Sequence, residues 1–113
     1  MNDLLAHPKH GASWEGFVIE EVIRSVQTHD VYFWATHQGA EIDLVFNKGG
    51  RMYGVEIKRT DAPTMTPSMR IALKDLKLER IAVIYPGKKR YSIHKQIDVV
   101  PFDEILGGEK GLF

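Results

Sequence analysis

The chain has 113 residues, with fifteen basic and fifteen acidic side chains and a formal net charge of zero. This length supports one domain with a hydrophobic core and excludes two. The neutral balance excludes attachment to nucleic acid by bulk positive charge, so a nucleic-acid partner would require a local basic patch. The absence of cysteine excludes a disulfide framework and a thiolate metal site.

The N-terminal residues contain no apolar segment of the kind found in a signal peptide, and no stretch of the sequence is apolar over the length of a membrane span. We therefore expect a cytoplasmic protein without a membrane partner. Residues 1–10 carry little pattern and include Pro8, which indicates a flexible lead-in. Residues 11–113 are expected to form a single domain.

Apolar residues recur at helical spacing immediately after the lead-in. Trp14, Val18 and Val22 lie on one stripe, which predicts an amphipathic helix over about residues 11–27. Apolar, β-branched and aromatic segments follow and predict strands. These strands cover residues 31–35, 41–46, 51–59, 80–86 and 91–94, with a further strand and a last helical turn within 97–106.

A second, shorter helix is predicted over residues 69–78, after a loop that contains Pro67, and either Thr66 or Ser68 would cap it. Residues 80–86 are almost uninterruptedly apolar, which predicts a strand buried on both faces. The order α, β, β, β, α, β, with short elements at the end, predicts an α/β domain with a mixed central sheet flanked by helices.

The predicted hairpin carries charged residues inside its strands. Side chains alternate between the two faces of a strand, and a two-residue or a four-residue turn within 47–50 gives the same pairing. This register predicts Asp43 opposite Gly54 and diagonal to Glu56. Lys58 lies two residues beyond Glu56 and faces the same way. Six apolar residues of the hairpin would then share the opposite, core-facing side: Ile42, Leu44, Phe46, Tyr53, Val55 and Ile57.

Two carboxylates this close together repel each other, so they require a raised pKa or a bound cation. A hard divalent ion with oxygen ligands resolves the repulsion, and such an ion can activate water for attack on a phosphodiester. A nearby lysine can orient or deprotonate that water, or stabilise the charge that develops. The alternative is a solvated charge pair, since an E-x-K triplet is common on exposed strands.

Three glutamates lie on the first predicted helix. At about 100° per residue, Glu15 falls inside the apolar stripe and Glu20 falls on the far side. A carboxylate on a core-facing stripe is costly without a partner. We therefore expect Glu15 to lie within one bridging water of the hairpin carboxylates, and Glu20 to lie in solvent. An ion pair with a nearby basic group is the alternative, especially for Glu21, which also falls within the stripe.

This constellation resembles the PD-(D/E)XK nuclease superfamily. The matching residues are Asp43 in EIDLVF and the triplet Glu56-Ile57-Lys58, thirteen positions on. The first helix, GASWEGFVIEEVI, looks like the helix that contributes a further glutamate in Holliday-junction resolvases. The resemblance implies a restriction-endonuclease-like core and cleavage of DNA or RNA that depends on Mg²⁺, with Mn²⁺ as the alternative ion. Asp43 and Glu56 would hold the metal with the backbone carbonyl of Ile57, Lys58 would serve the water, and Glu15 would assist.

The sequence is still more similar to the C-terminal domain of unknown function carried by many prokaryotic AAA-type ATPases. Segments such as FWATHQGAEIDLVF, VEIKRT, AVIYPG and VPFDEIL match that domain along nearly the whole length. This resemblance implies an ATPase domain in the same or a neighbouring chain. The sequence itself contains no Walker A motif, so the chain would be a fragment or a solo copy.

Two other functional classes remain open. A domain with nuclease ancestry can be catalytically inactive and serve as an interaction or DNA-binding module of such an ATPase. A weaker alternative is a component of a toxin–antitoxin or defence system. Basic residues such as Arg70, Lys74 and those of the turn at 88–90 either contact phosphates or form an ordinary solvated surface. His7 and His10 have a metal-like spacing, but we interpret them as structural or incidental.

Overall fold

The structure is a computed structural model and describes residues 14–26, 30–106 and 112–113. The expected lead-in, with His7 and His10, lies outside these residues. The described elements are α1 (Trp14–Val26), β1 (Val31–Ala35), β2 (Glu41–Lys48), β3 (Arg51–Ile57), α2 (Pro67–Asp75), β4 (Arg80–Tyr85), β5 (Tyr91–His94), β6 (Ile97–Pro101) and α3 (Phe102–Leu106). Over these ranges, no helix has both the length and the apolar character needed to cross a bilayer.

The six strands form one mixed sheet in the order β1-β2-β3-β4-β6-β5. The first three strands are antiparallel neighbours, β3, β4 and β6 run parallel, and β5 returns antiparallel at the far edge. The parallel step from β3 to β4 uses α2 as its crossover, as parallel neighbours require. The predicted α/β class with a mixed central sheet flanked by helices is therefore confirmed.

Apolar side chains cover both faces of this sheet. On one face, Val18 and Val22 of α1 pack against residues of β2 and β3. On the other face, Met69 and Ala72 of α2 pack against a second cluster. In β4, every residue from 81 to 85 is buried, as predicted for a strand enclosed on both sides. A carboxylate on either face of the central strands therefore lies in a desolvated environment.

Local capping explains the bounds of α2. The Thr66 hydroxyl accepts a hydrogen bond from the Met69 backbone N–H at 3.2 Å, and Pro67 occupies the first turn. At the other end, Lys77 has a φ of 52°, in the left-handed region that ends a helix. The helix therefore begins and ends earlier than the predicted range of 69–78, and Thr66 rather than Ser68 is the cap.

The predicted register of the β2–β3 hairpin is wrong by two residues. Lys48 pairs with Arg51 and Gly54 pairs with Val45, whereas the sequence predicted Gly54 opposite Asp43. The turn consists of Gly49 and Gly50, with φ values of 64° and 82°. Such a two-residue turn with positive φ at both positions matches the twist of the strands and is open mainly to glycine, asparagine and aspartate. Because the error is an even number of residues, it leaves the face of most side chains unchanged.

The prediction that six apolar residues of the hairpin share one face is wrong for Ile42. The other five lie on the α1 side, whereas Ile42 is buried with Val45 on the α2 side. The regular pairing of β2 with β3 extends only to Leu44. Against β1, the register shifts at this point: Tyr32 pairs with Val45 and Trp34 with Ile42, so one extra residue of β2 lies between them and the alternation of faces changes there.

Candidate metal and catalytic site

Asp43 and Glu56 are joined by a reciprocal pair of hydrogen bonds. The backbone N–H of Asp43 donates to Glu56 Oε1 at 3.0 Å, and the backbone N–H of Ile57 donates to Asp43 Oδ2 at 2.8 Å. Each carboxylate is therefore anchored on the neighbouring strand. The predicted proximity of the two carboxylates is confirmed, although they meet directly across the strands and not diagonally. The expected role of the Ile57 carbonyl as a ligand stays a prediction, since the contact seen here uses its amide.

Glu56 is unusually enclosed for a charged residue. Among the described residues it is the only polar or charged side chain that is buried, with 6% of its surface exposed. Burial and then the neighbouring Asp43 carboxylate raise the pKa of Glu56 from about 4.5 to about 8. At neutral pH Glu56 therefore carries a proton when no cation is present.

Lys58 lies at the open end of the same face. Its Nζ is 3.8 Å from Glu56 Oε2, and 37% of its side chain is exposed. The backbone N–H of Lys58 donates to the Ile84 carbonyl at 2.9 Å, which fixes the chain just beyond β3. The predicted grouping of Lys58 with Glu56 is therefore confirmed. A substrate could reach this ammonium group from solvent, whereas the carboxylate behind it is covered.

Glu15 has a different neighbour from the one expected. Its Oε2 lies 3.6 Å from Arg59 Nε, and the Arg59 guanidinium also lies 6.0 Å from the Trp14 ring. Within the described ranges, no three histidine, aspartate or glutamate side chains form a cluster suited to a metal. Glu15 is therefore not grouped with Asp43 and Glu56 in this structure, and its role at a metal stays a prediction.

Arg59 was expected only as a candidate phosphate contact, and its pairing with Glu15 is the ion-pair alternative that the sequence left open. Arg59 follows Ile57 on the face turned towards α1, and this alternation was the available signal. On the helix, Glu21 forms an ion pair with Arg24, which is the alternative expected for it. Glu20 lies 3.7 Å from Arg24 with 37% of its side chain exposed, so it is partly in solvent.

Comparison with known proteins gives the family. Residues 10–105 match a family described as a domain of unknown function, DUF4143. The chain belongs to this family. The uncharacterized proteins Rv2008c of Mycobacterium tuberculosis and Mb2031c of Mycobacterium bovis are each 48% identical over 100 residues, which cover 88% of this chain and 23% of each relative. The DUF4143 chain thus spans less than a quarter of their length. No solved structure matches it.

The basic turn of this DUF4143 domain is largely neutralised. Lys88 Nζ lies 3.1 Å from Asp103 Oδ2, and Arg90 Nε lies 2.9 Å from Glu104 Oε1. Both acids belong to α3, so the turn and the last helix hold each other by charge. Lys88 and Arg90 therefore support the interpretation of an ordinary solvated surface at this turn.

Substituting Glu15 tests its predicted role. If Glu15 turns from Arg59 towards the carboxylate pair when a metal binds, Glu15→Gln weakens Mn²⁺ binding while the control Glu20→Gln leaves it unchanged. Calorimetric titration measures both affinities. Equal affinities for wild type and Glu15→Gln would mean that Glu15 serves only as the partner of Arg59.

Proposed function

We propose that this DUF4143 domain is a metal-dependent phosphodiesterase of nuclease type, with a restriction-endonuclease-like core and with DNA or RNA as its substrate. The observation that supports the proposal is the pair formed by the half-buried Asp43 and the buried Glu56, with Lys58 at its exposed end. A buried carboxylate whose pKa is raised by burial and by a neighbouring carboxylate, as that of Glu56 is, is typical of functional sites.

The donor set fits Mg²⁺ or Mn²⁺. Mg²⁺ is commonly bound by one or two carboxylates and keeps several waters, so a third acidic ligand is not required. A divalent ion would take the place of the proton that Glu56 holds and would remove the repulsion between the two carboxylates. When bound, the ion would supply Lewis-acid stabilisation of the phosphate and lower the pKa of a bound water.

The residues of the site take distinct roles in this proposal. Asp43 and Glu56 hold the ion, and the backbone carbonyl of Ile57 completes the protein ligands. Lys58, through its ammonium group, orients the attacking water or stabilises charge on the phosphate. Glu15 assists from α1 after leaving Arg59.

The surrounding protein is also part of the proposal. Because the matched mycobacterial relatives are more than four times as long as the aligned segment, a DUF4143 domain can be one module of a longer chain. We place it at the C-terminus of an AAA-type ATPase in the cytoplasm, where ATP-driven movement would deliver or position the nucleic acid.

A second candidate is a catalytically inactive, nuclease-like interaction or DNA-binding module. It is favoured by the completeness of the hydrogen bonding, since no buried side-chain nitrogen or oxygen among the described residues lacks a partner. In this view, the role of Asp43 and Glu56 is structural, because their hydrogen bonds join β2 to β3.

A cleavage assay separates the two candidates. The wild-type domain is incubated with single- and double-stranded DNA and RNA, with Mg²⁺, Mn²⁺ or EDTA. We expect cleavage that EDTA and Asp43→Asn abolish and that the exposed control Glu41→Gln retains. The amide introduced by Asp43→Asn keeps an oxygen that can accept from the Ile57 N–H, and thermal melting checks the fold of this variant. No cleavage by the wild type, or equal cleavage by Asp43→Asn, would favour the inactive interaction module over the nuclease.

A further inference from the structure

An open groove lies between α2 and the turn that joins β5 to β6. It has a volume of about 330 Å³. Arg70 and Lys74 line it from the helix, and His94, Lys95 and Gln96 line it from the turn; the apolar side chains of Met65 and Leu73 complete the lining. No acidic side chain of the described chain is among the lining residues. We call this feature the α2 groove.

The cations of the α2 groove have no acidic partner among the residues that the structure describes. Arg70, Lys74 and Lys95 make no ion pair with any described residue. Arg80, by contrast, is paired with Asp98 at 2.9 Å. Three other lysines also lack an ion pair within the described residues but do not line the groove: Lys48, Lys77 and Lys89. In a chain of zero net charge, this leaves a local basic patch of the kind that a nucleic-acid partner requires.

One wall of the groove is fixed by hydrogen bonds. Gln96 Nε2 donates to the carbonyls of Leu78 and Glu79, each at 3.3 Å. The Gln96 N–H donates to His94 Nδ1 at 3.0 Å, so the neutral imidazole carries its proton on Nε2 as a donor. The groove therefore combines long cationic side chains with a fixed polar wall and an apolar surface against which a sugar can pack.

The groove lies on the same face of the sheet as Glu56. Glu56 lies two residues from Gly54 on β3, so the two residues share a face. A side chain at Gly54 would contact Leu78 and Ile81, which belong to the core on the α2 side. The first turn of α2 is also held beside β2, because Ser68 Oγ accepts from the Glu41 N–H at 3.2 Å. A nucleic-acid strand bound along α2 would therefore lie on the same face of the sheet as Glu56.

We infer that the α2 groove binds the sugar–phosphate backbone of one nucleic-acid strand. Arg70, Lys74 and Lys95 contact its phosphates, and the His94 Nε2–H supplies a further donor. The contacts are to the backbone, so binding is strongly salt-dependent and carries little sequence preference. Only the cleavage of the bound strand rests on the proposed function, because binding to the groove itself requires no metal.

Fluorescence anisotropy with a labelled single-stranded oligonucleotide in EDTA tests the inference. All proteins carry Asp43→Asn, so that cleavage does not interfere. The double variant Arg70→Glu/Lys74→Glu should bind at least ~10-fold more weakly, and its salt slope should fall by about 1.4, at ~0.7 per lost phosphate contact on a single strand. Arg70→Gln/Lys74→Gln provides a milder version if charge reversal disturbs α2.

The matched control is Lys48→Glu/Lys89→Glu, which makes the same change in net charge at two exposed lysines away from the groove that form no ion pair within the described ranges. We expect the control to weaken binding less than ~3-fold, because screening limits the effect of distant charges. Equal weakening by both pairs, or no binding by the parent protein, would overturn the inference. If the wild type fails to cleave but the groove variants lose binding, the proposed enzyme is wrong and the groove assignment stands.

Discussion

Lys58→Ala should lower metal-dependent cleavage by about 100-fold or more, which is the range found when a group that serves proton transfer or charge stabilisation is removed. The reason is position: Lys58 Nζ is 3.8 Å from Glu56 Oε2 and partly open to solvent. It can therefore contact a water or a phosphate without being a metal ligand. Single-turnover rates at saturating metal measure the effect.

The Mn²⁺ affinity of Lys58→Ala distinguishes a role of Lys58 in cleavage from a structural role at the metal site. Lys58 lowers the pKa of Glu56, although its effect is smaller than those of burial and Asp43. Affinity for Mn²⁺ in Lys58→Ala should therefore be close to wild type above about pH 8, where Glu56 is ionised. Lys48→Ala is the control and should cleave normally. Unchanged cleavage by Lys58→Ala would remove lysine from the mechanism.

Glu56→Gln should abolish a pH-dependent loss of stability in the metal-free protein. The folded state holds the Glu56 proton until its pKa of about 8, whereas the unfolded chain releases it near 4.5. Between these values the folded state binds more protons, so the free energy of unfolding falls as pH rises. The loss is complete above about pH 8 and reaches on the order of 5 kcal/mol, at ~1.4 kcal/mol per pKa unit.

Urea unfolding between about pH 5 and pH 9 measures this effect. The amide introduced by Glu56→Gln can still accept from the Asp43 N–H and can donate to the Asp43 carboxylate, so the curve of this variant should be flatter than that of the wild type. The exposed Glu41→Gln is the matched control and should keep the wild-type slope. Saturating Mn²⁺ should restore wild-type stability at high pH by binding the folded state. Parallel curves for wild type and Glu56→Gln would contradict the enclosed, protonated carboxylate.

The position of the site could be predicted from the sequence because strand alternation places Glu56 and Lys58 on one face, and Asp43 lies near them in any compact hairpin. The register could not be fixed, because NKGG allows more than one turn and only the positive φ values of Gly49 and Gly50 select the pairing. The departure of Ile42 from its expected face could not be predicted either, since it accompanies an irregularity in the pairing with β1, where three steps along β2 lie opposite two along β1.

The burial of Glu56 and the ion-pair partner of Glu15 could not be predicted from the sequence. An E-x-K strand next to a glycine can face water or a core, and the difference depends on where α2 packs. That helix covers this face through Met69 and Ala72, which encloses Glu56 and raises its pKa. The partner of Glu15 depends on how α1 sits over the end of β3, and helical periodicity gives a face of the helix but not the residue opposite it.

Calorimetric titration of the metal-free protein with Mn²⁺ at about pH 7, in two buffers of different ionisation enthalpy, tests the central claim most directly. We expect one site in the wild type, a buffer-dependent heat from the proton that Glu56 releases, and no site in Asp43→Asn. Equal heats for the wild type and Asp43→Asn, or no binding by the wild type, would contradict this claim.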